Sequence, residues 1–220
     1  MSHRKKALLC WSSGKDSAWT FQVLRQQAVE VVGLVTTVNE TFARVAMHGV
    51  REVLVEKQAE AAGVPLWKVP IPHRCSNEEY EKAMTSVIER ARSEGVAAIA
   101  FGDLFLADIR AYREKQLAGT GIEPLFPIWG LSTEALAREM VAAGVRARIT
   151  CVDPNQLPRH FVGRIFDGDL LDELPGNVDP CGERGEFHTF CYAGPMFRES
   201  IEVVLGEITE RDGFVFADLR

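Results

Sequence analysis

The sequence has no apolar run long enough to cross a membrane. Its first residues, MSHRKKALLCW, are partly basic, but the apolar run within them ends before Ser12. A signal-peptide core needs roughly 7 to 15 apolar residues and a transmembrane helix about 20. We therefore expect a protein of the cytoplasm that has no membrane partner.

Cysteine is scarce, and its spacing excludes two kinds of site. There are 5 cysteines, an odd number, and no two of them form a C-x-x-C pair. Neither a disulfide framework nor a zinc site is therefore expected, and we interpret most of these residues as small buried apolar side chains. They are Cys10, Cys75, Cys151, Cys181 and Cys191.

Positive charge is also in short supply. The 220 residues include 25 lysines and arginines against 31 aspartates and glutamates, which gives a formal net charge of -6. Binding to a nucleic-acid backbone usually needs a basic face, so nucleic acid is disfavoured as a partner. The hydrophobic fraction of 46% excludes a disordered chain, and the length indicates one large core with a smaller lobe.

Short apolar runs alternate with helical patterns along most of the chain. This alternation predicts an α/β fold, a doubly wound parallel sheet with helices on both faces. After about residue 120 the rhythm weakens, because prolines, glycines and acidic residues become frequent. The predicted strands are Ala7–Trp11, Val31–Thr36, Leu66–Val69, Ala97–Phe101 and Ala147–Val152.

Capping residues mark several predicted helix boundaries. Ser76 and Glu79 have the spacing of a capping box at the start of SNEEYEKAMTSVIERARSEG. Gly63, Gly95 and Gly144 stand where a helix ends in a left-handed residue, and a valine follows each of them. Near the end of the chain, the runs IEVVLGEI and FVFADL predict two strands, joined by a turn at Asp212–Gly213.

The stretch LLCWSSGKDSAWTF places six small or charged residues between a predicted strand and a predicted helix. The loop lies at a helix amino terminus, where free N–H groups and the helix dipole favour an anion. It does not match the G-x-x-x-x-G-K-[ST] phosphate loop, since an aspartate follows the lysine. A polar turn that merely caps the helix is the alternative. The candidate binding residues are Ser12, Ser13, Gly14, Lys15, Asp16 and Ser17.

Other candidates follow the neighbouring strands. Gly102 and Asp103 come after the strand at 97–101, so they should emerge at the same sheet edge as the loop, where Asp16 and Asp103 could hold a magnesium ion. A plain turn is the alternative. Thr36 and Thr37 end the second strand. His48 is a candidate for covering the ligand or, as a lone histidine, a packing residue.

The stretch DPCGERGEFHTF combines acidic, basic and imidazole side chains. If it is extended, Glu186 and His188 share one face and could orient an amine or remove its proton, because the ordinary histidine pKa of about 6.5 suits that task. An acidic surface loop is the alternative. A zinc deaminase is excluded because the P-C-x-x-C pattern is missing, and nothing supports Cys181 as a nucleophile.

The opening loop resembles the S-G-G-x-D-S motif of the N-type ATP pyrophosphatases, with Ser13 in place of the first glycine. The resemblance implies that residues 12–17 hold the β and γ phosphates of ATP. It further implies that Thr36, Thr37, His48 and Gly102 contact the nucleotide, and that pyrophosphate leaves when a substrate oxygen attacks the α phosphorus.

Four further motifs, FGDLFLADIRAYRE, GIEPLFPIWG, FVGRIFDGDLLDELP and VDPCGERGEFHTFCYAGPMF, resemble the diphthine-ammonia ligase family. With the loop they span residues 8–197. The resemblance implies a Rossmann-like fold of the adenine nucleotide alpha hydrolase type, with an ATP-binding domain at 1–125 and a smaller α+β substrate-binding lobe at 126–220. Residues 38–72 look closer to bacterial members, which lack diphthamide.

The activity implied by the resemblance is ATP-dependent amidation of a carboxylate on a protein or metabolite by ammonia. ATP and Mg²⁺ are the expected cofactors. Lys15, Asp16, Asp103, Glu186 and His188 are the expected catalytic residues. The expected substrate-binding residues are Glu183, Arg184, Gly185, Glu186 and His188.

Two other functions remain open from sequence. One is a tRNA-modifying member of the same superfamily, although neither a basic RNA-binding domain nor reactive cysteine pairs are visible. The other is a sensor that holds ATP without turnover. Ser2 stands where an N-terminal-nucleophile glutaminase would need cysteine, so free ammonia or a partner should supply the nitrogen. A homo-oligomer is possible.

Overall fold

The computed structural model of the chain describes residues 4–42, 44–45 and 49–220. The chain forms two sheets, the first built before residue 126 and the second after residue 145. The first sheet contains β1 Lys6–Cys10, β2 Glu30–Asn39, β3 Arg44–Val45, β4 Leu66–Ile71, β5 Ala98–Ala100 and β6 Glu123–Leu125.

Five strands of the first sheet are parallel, in the order β4, β2, β1, β5, β6, and β3 pairs antiparallel with the end of β2. This is the doubly wound Rossmann-like order, so the predicted α/β fold is confirmed. The chain moves outward from β1 through β2 to β4 and then returns to place β5 on the other side of β1. Ligands of such sheets bind at this reversal, beyond the carboxyl ends of β1 and β5.

Helices cover both faces of the first sheet. The helices α1 Lys15–Gln26 and α2 Glu52–Ala62 share one apolar core, and α3 Asn77–Ser93 and α4 Ala107–Leu117 pack on the opposite face in another. Leu8 and Leu9, adjacent in β1, point into different cores because strand side chains alternate. Burial on both faces explains why the strands read as continuous apolar runs.

The second sheet is antiparallel. Its strands are β7 Arg146–Val152, β8 Ile165–Phe166, β9 Phe187–Ala193, β10 Leu205–Arg211 and β11 Phe214–Leu219. The helices α5 Thr133–Ala142 and α6 Gly168–Glu173 accompany it. The prediction that residues 147–152 belong to the parallel sheet was wrong, because β7 pairs antiparallel with β9 along its length.

The predicted capping signals are confirmed. Ser76 accepts a hydrogen bond from the Glu79 backbone while the Glu79 carboxylate accepts one from the Ser76 backbone, so the capping box is complete.

The predicted strand at 201–208 was partly wrong. Ile201 donates its backbone N–H to Tyr192 instead, and β10 begins at Leu205. Among the described residues, no helix is both long and apolar enough to cross a membrane.

The hairpin of β10 and β11 is tied to the first sheet by ion pairs. Asp218 accepts hydrogen bonds from Arg44 at 2.8 Å and from Arg51 at 3.0 and 2.6 Å. These bonds, that with Arg51 above all, lower the pKa of Asp218 far below its usual value, although burial opposes the shift. Because the arginines belong to β3 and the start of α2, one carboxylate joins the two sheets.

We expect Asp218→Asn to lower the free energy of unfolding at pH 7 by about 1–2 kcal/mol, since hydrogen bonds to charged groups are among the stronger ones. The folded-state pKa of Asp218 is depressed, so its stabilisation is complete above the unfolded pKa of about 3.9 and is lost as the pH falls. The difference between wild type and variant should therefore shrink between pH 5 and about pH 3.

Urea unfolding at pH 5 and at about pH 3 measures the difference in stability between wild type and Asp218→Asn. Asp212→Asn is the matched control, because Asp212 lies in the turn of the same hairpin and its side chain is 67% exposed. A difference between wild type and Asp218→Asn that did not change with pH would contradict the assignment.

Candidate functional site

The loop at residues 12–17 lies where β1 passes into α1, beside the segment that follows β5. A Cβ atom added to Gly102 would lie 3.1 Å from Thr20 Oγ1 and 3.2 Å from the Ser17 nitrogen. Glycine thus permits the close approach of two segments that are far apart in sequence. The structure brings Asp103 next to the loop, at the reversal of strand order.

Ser13 adopts a left-handed backbone conformation, with φ of 71°. Glycine adopts this conformation freely, whereas other residues incur strain that the surrounding structure must offset. The Ser13 carbonyl is held from two sides, accepting hydrogen bonds from the Cys191 backbone at 2.9 Å and from Gln58 Nε2 at 3.0 Å. The serine that replaces the first motif glycine is therefore kept in the glycine-like conformation by α2 and β9.

Lys15 is buried between the two lobes, with 1% of the residue exposed. Its ammonium donates to Asp16 Oδ2 at 2.9 Å and to the Cys181 carbonyl at 2.5 Å. It also lies over the rings of Phe166 and Phe187, at 5.1 and 5.3 Å from their centroids. The ammonium is directed at the second lobe, which differs from the expected direct contact with phosphate.

The Lys15–Asp16 pair is strongly coupled. Burial disfavours both charges, but the Asp16 carboxylate overcomes this for Lys15 and raises the lysine pKa above its ordinary value. Burial raises the Asp16 pKa, and the charge of Lys15 opposes that shift. The ion pair is the stable form at neutral pH, because the 2.9 Å contact joins the ammonium to one oxygen of the carboxylate.

Buried polar atoms without a hydrogen-bond partner gather at this sheet edge. Such atoms are rare in folded proteins, and those in a cleft point to a ligand that completes them. Four of them belong to residues that the sequence singles out, including Thr36 at the second strand. In the described part of the chain they are Ser13 Oγ, Asp16 Oδ1, Thr36 Oγ1, Asp103 Oδ2 and Arg113 Nε, with Arg148 Nε elsewhere.

These atoms fit a triphosphate and a divalent cation. Hydroxyl groups donate to phosphate oxygens, and carboxylate oxygens are the ligands that Mg²⁺ prefers. Within the described residues, no group of three or more histidine, cysteine, aspartate or glutamate side chains forms a metal site. Asp16 and Asp103 would therefore need phosphate oxygens and water to complete the coordination of Mg²⁺, as this ion commonly requires.

Arg113 is a residue of this site to which the sequence analysis assigns no role. Its helix, α4, carries mixed charges and reads as a solvated surface helix. Arg113 nevertheless lies one turn before the buried Leu117, on the side of α4 that faces the sheet. That spacing was the available signal. Its guanidinium lies 5.0 Å from the centroid of Phe101 and 3.8 Å from Asp103.

The second lobe reaches the loop through the segment at 179–189. The buried Glu186 carboxylate accepts backbone hydrogen bonds from Asp179 at 2.8 Å and from Arg184 at 2.9 Å. It therefore shapes its own loop, in which Gly185 is left-handed, with φ of 85°. A catalytic part for Glu186 stays a prediction.

His188 differs from the sequence expectation in its acid–base behaviour. Burial, reinforced by the charge of Lys15, lowers the pKa of His188 to about 4. The imidazole is therefore neutral at pH 7, and the ordinary pKa assumed from sequence was wrong. The next residue, Thr189, accepts a hydrogen bond from the Lys15 backbone at 3.1 Å, which fastens the start of α1 to β9.

Glu183, and not His188 as expected from sequence, is the group of this segment whose pKa lies near neutrality. Burial raises the pKa of Glu183 to about 7, although the Leu104 N–H, which donates to its carboxylate at 2.7 Å, opposes the shift. The charges of Asp16 and Asp103 raise it further. Glu183 thus stands beside the segment that follows β5, on the second-lobe side of the site.

The remaining candidates lie outside this cluster or outside the described residues. His48 falls among the latter. Thr37 lies in β2 beside Thr36, and its side chain is partly buried. Burial raises the pKa of the Cys181 thiol, which disfavours the reactive thiolate.

An open cavity of about 790 Å³ lies away from the loop. It is lined by Arg4, Lys5, residues 27–29 and residues 125–127, largely before the amino ends of β1 and β2. No unpaired buried polar atom of the described residues lines it. The unpaired buried atoms therefore mark the candidate site at the carboxyl ends of the strands, and this cavity is not part of it.

Comparison with known proteins gives matches over most of the chain. A family model described as the diphthamide synthase N-terminal domain matches residues 5–123, and one described as the diphthamide synthase C-terminal domain matches residues 132–217. The diphthine--ammonia ligase of Rattus norvegicus is 25% identical over 232 residues, covering 94% of this chain and 85% of the relative.

Two further relatives carry the same name. The Homo sapiens protein is 29% identical over 182 residues, which is 74% of this chain and 67% of the relative. The Schizosaccharomyces pombe protein is 24% identical over 225 residues, covering 93% of this chain but 37% of the relative. Because the two family models together cover nearly the whole sequence, the chain belongs to the diphthamide synthase family of enzymes.

Proposed function

We propose that the protein is an ATP-dependent amide ligase. It would adenylate an acceptor carboxylate, release pyrophosphate, and replace AMP by ammonia to form the amide. The observation that carries this proposal is the cluster of unpaired buried polar atoms around the loop at the reversal of strand order. Diphthine, in the names of the relatives, is one candidate acceptor, and another carboxylate is the alternative for a bacterial family member.

The chemistry explains why ATP is needed. A carboxylate does not form an amide at neutral pH because its oxygen is a poor leaving group, whereas an acyl-adenylate has AMP as leaving group. In the first step, a carboxylate oxygen bonds to the α phosphorus and the bond to the β-phosphate oxygen breaks. In the second, the nitrogen of ammonia bonds to the acyl carbon, AMP leaves, and the nitrogen loses a proton.

Residues of the loop would bind the outer phosphates. The Ser13 hydroxyl is unpaired and would donate to a phosphate oxygen, whereas the hydroxyls of Ser12 and Ser17, which now donate to Ser17 Oγ and to the Gly14 carbonyl, would have to turn toward the phosphates. Gly14 permits a close backbone approach at the start of α1, where the helix dipole favours the leaving pyrophosphate. Bound Mg²⁺, held by Asp16 and Asp103, would neutralise charge on the phosphates.

Lys15 would act through Asp16. Its ammonium holds one carboxylate oxygen at 2.9 Å and leaves the other without a partner. A fixed carboxylate with one free oxygen is suited to hold a cation at the phosphates. Thr36, Thr37 and Gly102 would border the nucleoside, with the unpaired Thr36 hydroxyl available to it.

The second lobe would contribute the acceptor side. Glu183 is our candidate for removing the proton from the attacking nitrogen, since a general base works best when its pKa is close to the ambient pH. Neutral His188 would line the same wall, and Glu186 would keep the loop that carries Glu183, Arg184 and Gly185 in shape.

The acceptor assay tests the function directly. Purified protein is incubated with labelled ATP, Mg²⁺ and ammonium, and with either a protein that carries diphthine or a panel of small carboxylates. Equal yields of AMP, pyrophosphate and amide support the ligase. Nucleotide binding with no AMP under any condition would favour a sensor, and AMP release that ribonuclease abolishes would favour an RNA-modifying enzyme.

We expect Asp16→Asn to lose the Mg²⁺-dependent part of ATP binding and to lower turnover by about 100-fold or more, because one charged ligand of the phosphate site is removed. Titration of a fluorescent ATP analogue, with and without Mg²⁺, measures the first effect without an acceptor. Asp108→Asn is the control, since Asp108 is exposed in the first turn of α4. Equal Mg²⁺ dependence in both variants would remove Asp16 from its role.

With kcat/KM referred to the concentration of free ammonia, we expect it to rise with pH through about pH 7, where Glu183 loses its proton, and Glu183→Gln to abolish this limb of the profile. The folded-state pKa of Glu183 is raised, so its ionisation destabilises the fold as the pH increases from the unfolded pKa of about 4.3 through 7. The neutral glutamine avoids that penalty.

Urea unfolding at pH 8 separates catalysis from stability. Glu183→Gln should be no less stable than the wild type there, while its rate is reduced. A variant that kept the rise near pH 7 would show that another group accepts the proton.

A further inference from the structure

A second polar cluster lies on the α4 side of the first sheet, beside the phosphate-binding loop. It consists of Cys10, at the end of β1, Tyr80 in α3, Asp103 after β5, and Arg113 in α4, and we call it the Arg113 cluster. Asp103 connects it to the loop, because Gly102 contacts the start of α1.

The guanidinium of Arg113 is only partly satisfied. Its Nη1 donates to the Tyr80 hydroxyl at 3.2 Å. Its Nε lies 3.8 Å from Asp103 Oδ2, beyond hydrogen-bond distance, and both atoms are buried without a partner among the described residues. Burial raises the pKa of the Cys10 thiol to about 11, so Cys10 adds no charge at pH 7.

The neighbouring Arg110 shows what a satisfied arginine on the same helix looks like. Its Nε donates to Glu114 at 2.8 Å, and its guanidinium lies over Phe126 and Trp129 at 4.7 and 4.8 Å. The carboxylate nearest to Arg113, that of Asp103, lies 3.8 Å from Nε and makes no hydrogen bond with it. Because an arginine fork matches the geometry of a carboxylate, the incomplete pairing of Arg113 points to an anionic ligand.

The Arg113 cluster is reachable from the sheet edge. The side chains of Arg113 and Asp103 are 22% and 20% exposed. Since Nε and Oδ2 are themselves buried, the exposed surface belongs to other atoms of these two side chains. The cluster follows β1 and β5 directly, so a group bound there lies next to the loop proposed for the phosphates.

We propose that Arg113 binds the acceptor carboxylate and positions it for attack on the α phosphorus. This inference rests on the proposed ligase function and names the residue that recognises its second substrate. Asp103 and Tyr80 hold the guanidinium from one side and leave its remaining donors for the carboxylate. Neutral analogues of the acceptor lack the charge that this site recognises.

The test compares anionic and neutral probes in matched variants. Glutarate and the neutral glutaramide are titrated into wild type, Arg113→Met and Arg110→Met, each with Mg²⁺ and a non-hydrolysable ATP analogue, and heat release is measured. We expect glutarate to bind wild type and Arg110→Met, and its apparent Kd to rise by about tenfold or more in Arg113→Met. Glutaramide should bind none of them.

Arg113→Lys keeps the positive charge but lacks the paired N–H donors of the guanidinium. It serves as a second variant in case Arg113→Met does not fold. We expect it to bind glutarate with an intermediate Kd. Unchanged affinity for the ATP analogue in both variants would show that the loop is intact. Glutarate binding that is equal in Arg113→Met and wild type, or absent from wild type at saturating concentration, would overturn the proposal.

The outcome is independent of the ligase assay. Failure of every acceptor to yield AMP, with Arg113-dependent glutarate binding retained, would reject the proposed reaction but keep the anion site. Amide formation with an unchanged KM for the acceptor in Arg113→Met would keep the reaction and reject Arg113 as its recognition residue.

Discussion

The buried ammonium of Lys15 constrains the rest of the site. A buried cation must be paired, and its partners come from both lobes, namely the Asp16 carboxylate and the Cys181 carbonyl. Two hydrogen bonds with β9 hold the same turn: the Cys191 N–H donates to the Ser13 carbonyl, and the Lys15 N–H donates to the Thr189 hydroxyl. The second lobe is therefore part of the phosphate-binding loop's own support, and the loop geometry depends on residues about 170 positions further along the chain.

The support of the loop by the second lobe accounts for the strained backbone conformation of Ser13. Ser13 is left-handed at a position where the related motif has glycine. Gln58 joins the Ser13 carbonyl to the Cys191 carbonyl, and Trp11 donates to the same Gln58 side chain at 2.7 Å. Hydrogen bonds from Trp11, which follows β1, from α2 and from β9 thus offset the strain, which is how unusual backbone conformations persist at functional sites.

Local features were predictable from sequence, whereas features made by tertiary contacts were not. The Ser76 capping box and the opening loop depend on neighbouring residues, and both lie where the sequence places them. The run at 147–152 is apolar whether its neighbours are parallel or antiparallel, so its sheet could not be assigned. Likewise, the lowered pKa of His188 comes from burial, which the residue type does not reveal.

The charge balance of the site explains why a divalent cation belongs in the proposed reaction. Lys15 is committed to Asp16, and Arg113 faces Asp103 at 3.8 Å, so each buried cation already has a carboxylate beside it. Glu183 adds a third carboxylate to the same edge. A triphosphate entering the loop at residues 12–17 meets a lysine whose ammonium is already bound to Asp16 and to the Cys181 carbonyl. Helix N–H groups would offset part of the charge of the triphosphate. Mg²⁺ shared with Asp16 and Asp103 would offset the remainder, so that carboxylates that would otherwise repel the phosphates serve as metal ligands.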